Sequence, residues 1–181
     1  MASPFNKLDR FVLAFLIVLE AFACYNYFCR EVAWYPPGNF DQSLYLLNAY
    51  RIKETILTNG LGQLVVALRS HYSNGVGLPI LGALFGLCFP GGRLPALLIG
   101  FLAFGVLQVV VFLTGQWVGR SRVYGYMLLG LVLCQHTAWY WAGGMFDFRF
   151  DFTAYSLYGI WACLVIWGDV FLRREWALAW G

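Results

Sequence analysis

Four stretches of this chain, 11–28, 94–118, 123–142 and 152–172, each run for about 20 residues with almost no charged side chain. A helix rises about 1.5 Å per residue, so such a run matches the roughly 30 Å hydrocarbon core of a bilayer. A surface helix of a soluble domain needs apolar side chains on one stripe only. Composition agrees, with 61% hydrophobic, 19% aromatic and 12% charged residues and a mean hydropathy of +0.66, beyond what a soluble core has to fill. The chain reads as all-α: a polytopic helical membrane protein with about four transmembrane helices. Its Lys and Arg residues are scattered and the net charge is only +3, so nothing supports a nucleic-acid surface, and the expected partner is the lipid bilayer.

Two alternatives bear on the topology. Lys7 and Arg10 ahead of an apolar run ending in "AFAC" have the outline of a cleavable signal peptide. Glu20 interrupts that run, however, and it continues through Tyr25 and Phe28, long enough to span. A fifth apolar run, 75–90, is shorter, carries Pro79 and stops at Pro90-Gly91-Gly92, which suits an interfacial or re-entrant helix. With four spans, Lys7, Arg10, Arg120, Arg122, Arg173 and Arg174 all fall on one side, as short cytoplasmic loops require. Both termini are then expected in the cytoplasm, and 29–92 becomes one long outer loop.

That loop is too rich in apolar residues for a disordered linker. Leu46, Ala49, Ile52 and Ile56 recur at helical spacing opposite Asn48, Arg51 and Glu54, and Asn59-Gly60 closes the pattern. "LGQLVVALRS", 61–70, reads as a second short amphipathic helix. Both are expected along the outer interface, where Trp34, Tyr35, Trp139, Tyr140 and Trp141 form an aromatic belt. The five cysteines lack CxxC spacing or nearby His ligands and read as packing residues, while Gln135 and His136 in the third run read as interhelical hydrogen-bonding groups.

Acidic residues stand out against this background. Asp41 follows "WYPPGNF" and opens the amphipathic helix. In a first turn a carboxylate accepts backbone N–H bonds and complements the dipole; at a membrane interface it can also serve as a general base. In "GGMFDFRFDFTAYS", Asp147, Arg149 and Asp151 alternate with Phe146, Phe148, Phe150 and Phe152. An extended segment would send the rings to one side and the charges to the other. Ionisable groups at the edge of hydrocarbon are costly, and a short connection needs none of them.

The order of these features resembles the GT-C superfamily of integral membrane glycosyltransferases. The resemblance rests on a first span, Asp41 heading an amphipathic helix, the segment "GLPILGALFGLCFPGGRLPALLIGFLAF", "VGRSR" between spans, and an acidic residue opening the next span. It implies a polyprenyl-phosphate-linked sugar as donor, an acceptor of unspecified identity, and a site on the outer face of the cell (inner) membrane. Asp41 matches the family's first-loop acid as catalytic base. Asp151, and less directly Asp147, match its second-loop acid. Arg149, Tyr45, Arg69 and His71 are candidates for substrate contact. Some family members hold Mg²⁺ or Mn²⁺ near these acids, so Asp41 and Asp151 are candidate ligands. Family members usually continue beyond four spans, so 1–181 resembles a single N-terminal module of a larger enzyme. The alternative is a non-catalytic membrane subunit or transporter fragment held by a structural Asp/Arg network.

Overall fold

The computed structural model describes residues 6–34, 40–62, 65–66, 77–89, 92–139, 144–148 and 150–167. Its elements are α1 (Lys7–Tyr27), continued by a π-turn over Phe28–Val32, then α2 (Phe40–Asn59), α3 (Gly77–Cys88), α4 (Leu94–Gly119), α5 (Arg122–Leu133), α6 (His136–Trp139) and α7 (Phe150–Trp167). Among the described residues there is no strand. Two helices, Lys7–Val32 and Leu94–Gly119, are long and apolar enough to cross a membrane, by length and composition. At 26 residues each, both reach roughly 39 Å, longer than the hydrocarbon core.

The third apolar run departs from the expectation of one continuous helix over 123–142. Helix α5 stops at Leu133; the Cys134 N–H bonds to the Gly130 carbonyl, and α6 restarts two residues later. The break is stabilised by Trp139, whose indole N–H donates to the Leu133 carbonyl at 2.8 Å, satisfying an acceptor that a helix end leaves open. Gln135 and His136 sit at this break and are exposed. The cysteine expectation also needs correcting: Cys163 is buried and Cys24 half-buried, but Cys29, Cys88 and Cys134 are exposed.

Helix α2 buries the face its periodicity predicts. Leu46, Ala49, Ile52 and Ile56 are all in the core, and Arg51 and Glu54 point outward. Asn48, expected on the polar face, is buried as well. The helix ends where the Gly60 N–H bonds back to the Ile56 carbonyl at φ +84°, a left-handed cap that favours glycine. Helix α3, with Pro79 in its first turn where a missing N–H is tolerated, packs on α2 with Gly82 between them. A Cβ at Gly82 would lie 2.8 Å from the Phe148 ring and 3.1 Å from Ala49 Cβ. The expected second amphipathic helix over 61–70 lies mostly outside the described residues.

Helix α4 organises the rest. Its N-terminal third joins Tyr45, Leu46, Ala49, Leu78 and Phe148 in one apolar cluster through Ala96, Leu97 and Ile99. Its middle packs Phe104 and Leu107 with Met145 and Phe152. Near its far end Phe112 joins Leu13 and Leu129. Burial of such side chains contributes about 1.5–3 kcal/mol each when the reference is water.

Helix α1 is attached differently. Only 6% of its apolar stretch is buried, against 50% in α4, and Phe11, Phe15, Val18, Phe22 and Tyr25 face outward. Polar rungs fasten it. Asp9, almost fully buried, accepts from the Tyr126 hydroxyl at 2.9 Å and pairs with Arg122 at 3.4 Å. Glu20 meets the Gln108 amide at 2.5 Å. The Cys24 thiol lies 3.1 Å from the Met145 sulfur, and the Arg93 guanidinium donates to the Val32 carbonyl. These rungs set the polarity of the molecule. The start of α1 and the α4–α5 turn share one end, and the π-turn, α2, α3 and residues 145–148 share the other.

Candidate functional site

At that second end, the first turn of α2 is fixed to the segment before α7. Gln42 is buried, and its side-chain amide donates to the Phe146 carbonyl at 3.2 Å. One turn on, Tyr45 meets Phe148 edge-on, with ring centroids 6.5 Å apart and planes at 81°, a favoured aromatic geometry. Asp41 precedes Gln42 directly, occupies the first turn of α2 and is exposed. Asp151 occupies the first turn of α7 and is also exposed. Each carboxylate therefore sits at a helix N-terminus, favoured by the dipole, with its side chain accessible.

Tyr45 registers both acids. Burial raises its phenol pKa above the ordinary value, and the charges of Asp151 and then Asp41 raise it further. Negative charge opposes forming a phenolate, so the two carboxylates act in the same direction as burial, which is the larger cause. Tyr45 thus belongs in the core as well as beside the acids, a double role that sequence reasoning missed when it listed the residue for substrate contact alone. Gln42 was missed altogether. The signal was in the periodicity: Gln42 lies one turn before Leu46, on the face that Leu46, Ala49, Ile52 and Ile56 define.

The alternation "FDFRFDF" does not persist as an extended segment. The Asp147 N–H bonds to the Gly144 carbonyl at 3.1 Å and the Met145 N–H to the Ala138 carbonyl at 3.0 Å, so 144–147 turn. From Phe150 the chain is helical. Period two fails in both conformations: Asp147 and Phe148 are both buried in the turn, and Phe152 and Thr153 are both buried in the helix. Asp147 is consequently set apart from Asp41 and Asp151 by its burial. Arg149, Arg69 and His71 lie outside the described residues.

Among the described residues, no group of three or more His, Cys, Asp and Glu gathers where it could hold a metal ion. Asp41 and Asp151 offer two carboxylates, and Mg²⁺ is usually held by one or two, with waters and substrate phosphate completing its octahedron, so the pair stays a candidate ligand set.

A groove opens beside Asp151. It has a volume of about 650 Å³ and lies between α4, α5 and α7. A smaller apolar cavity of about 110 Å³ separates α1 from α4 near Cys24, Leu97, Phe101 and Met145. Comparison of the chain with protein-family models, with curated proteins and with solved structures finds no match.

Proposed function

We propose that this chain is the membrane-embedded module of a GT-C-like glycosyltransferase, moving a sugar from a polyprenyl-phosphate donor to an acceptor hydroxyl or amine. The observation that carries the reading is the docking of α2 on residues 145–148 through Gln42 and Tyr45. It puts two exposed carboxylates, 110 positions apart in sequence, at one end of the bundle. In the proposed topology four spans cross the membrane, the end holding Asp9 and Arg122 faces the cytoplasm, and the end holding Asp41 and Asp151 faces outward. The aromatic and aliphatic side chains exposed along α1 support a lipid-facing helix, and the basic residues around the α4–α5 turn support the orientation.

In this mechanism Asp41 takes the proton of the acceptor as its oxygen or nitrogen attacks the anomeric carbon. The bond from that carbon to the phosphate oxygen breaks, and the polyprenyl phosphate leaves with the electron pair. Asp151 orients the acceptor, and Tyr45, held neutral, positions the two acids. General-base assistance is worth roughly 10²- to 10⁴-fold. Asp147, being buried, fits the structural part that the alternative reading gives to the whole acidic group.

The test is Asp41→Asn in the protein as it sits in its own membrane, following labelled sugar from a polyprenyl-phosphate donor. Loss of at least 10²-fold with unchanged insertion supports the mechanism; retained transfer removes Asp41 from it, and absence of transfer by the unaltered chain favours the non-catalytic subunit. Sidedness is tested by single cysteines at 41, 121 and 151 in a cysteine-free background, labelled with an impermeant thiol reagent. Labelling at 41 and 151 but not 121 fits the shared outer face. Labelling at 41 and 121 but not 151 sinks it.

A further inference from the structure

The groove beside Asp151 joins an apolar lining to a carboxylate at one end. Its lining runs down one face of α7 from Asp151 through Ala154, Tyr155 and Gly159 to Cys163, with Leu107 of α4 and Val132 of α5 as the opposing wall. Gly159 keeps α7 close to α4 there, since a Cβ would come within 2.7 Å of Leu107. From 151 to 163 a helix rises roughly 18 Å. One leaflet of a bilayer's hydrocarbon core is roughly 15 Å deep, half the whole. The groove therefore starts at an exposed carboxylate and descends, almost purely apolar, by about the depth of a leaflet.

We propose that this groove binds a single lipid tail of the outer leaflet, and that Asp151 selects lipids whose headgroup carries an amine. An apolar trench alone would accept any acyl or prenyl chain. The carboxylate at its mouth breaks that indifference, because an ammonium group gains a charge-assisted hydrogen bond there, whereas an anionic head meets like charge. Such a lipid presents its amine beside Asp151 and within reach of the site that Asp41 serves. As the identity of the acceptor, the inference rests on the transferase reading; as a binding site it stands apart from it.

The test uses the full chain in phosphatidylcholine vesicles doped with either of two probes that share a diazirine-bearing acyl tail. One probe has a phosphoethanolamine head and the other a phosphoglycerol head. The expected result is covalent labelling of the 154–163 stretch, at least fivefold stronger with the amine head. Asp151→Asn should keep the tail labelling and abolish the headgroup preference; Ala154→Trp should abolish labelling of that stretch altogether. Equal labelling by both probes in the wild type, or a preference that survives Asp151→Asn, would overturn the proposal without reference to any variant's folding. The transferase reading fails separately: selective labelling together with no sugar transfer by the unaltered chain leaves a lipid site and removes the enzyme, while an active Asp41→Asn protein removes only Asp41 from the mechanism. Unselective labelling with an inactive Asp41→Asn protein leaves the enzyme and removes this acceptor.

Discussion

Gly82 is where the geometry of the site can be tested through stability alone. A methyl group added at this position would meet the Phe148 ring at 2.8 Å and Ala49 Cβ at 3.1 Å. Phe148 is 3% exposed and pressed between Tyr45 and α3, so the ring has little room to retreat. Overpacking of this kind costs about 1–3 kcal/mol. Replacing glycine by alanine within a helix gains about 1 kcal/mol of propensity, which leaves Gly82→Ala between neutral and about 2 kcal/mol destabilised. One turn on, Gly86 is the internal control. A Cβ there meets only the flexible Lys53 side chain, at 3.3 Å, so Gly86→Ala should be neutral or stabilising by up to about 1 kcal/mol. The difference between the two variants, about 1–3 kcal/mol, corresponds to several degrees of melting temperature for a chain of this size, at about 2–4 °C per kcal/mol. Thermal unfolding in detergent, read by tryptophan fluorescence, resolves it. Phe148→Leu in the Gly82→Ala background should recover part of the loss, giving a non-additive cycle. Equal melting temperatures for Gly82→Ala and Gly86→Ala, or strict additivity with Phe148→Leu, would refute the docking of residues 145–148 on α2 and α3, and with it the shared site.

Other outcomes follow from the same contacts. Tyr126→Phe removes a hydroxyl donor to a buried carboxylate and should cost about 1–3 kcal/mol, measured in the same thermal assay. Trp139→Phe leaves the Leu133 carbonyl without its indole donor and should cost about 1 kcal/mol. The phenol of Tyr45 is held above its ordinary pKa, so the folded state keeps that proton more tightly than the unfolded chain. Its stabilising contribution is present below the unfolded value of about 10 and is lost as pH rises through the folded value. Tyr45→Phe should therefore flatten the fall in stability above about pH 10, and an unchanged alkaline limb would count against the burial of the phenol.

How much of this was legible in the sequence depends on which force decides each feature. The apolar runs that become α1 and α4 were legible because the length of an unbroken run needs no tertiary knowledge. The buried face of α2 was legible because Leu46, Ala49, Ile52 and Ile56 share one side at any helical phase. The end of α5 was not: Cys134 and Gln135 are no helix breakers, and the interruption depends on an indole reaching back six residues to a carbonyl. The burial of Asp147 was not legible because a turn and a helix start fall within one alternating pattern, and period two holds only while the backbone stays extended. The partners of Asp9 and Glu20 lie 117 and 88 positions away. Glu20 served the sequence reading only as an argument against a signal peptide, although a carboxylate inside an apolar run is itself a sign of a partner.

Those separations also carry a consequence for how the chain is built. Helix α1 precedes the other described helices in the chain, yet Gln108, Arg122, Tyr126 and Met145, which fasten it, are all made much later. In the proposed membrane setting it has to wait as a lone span, with Glu20 facing lipid, until its docking points arrive. This helix is thus made well before the groups that secure it, and the outward Phe11, Phe15, Val18 and Phe22 are what let it wait.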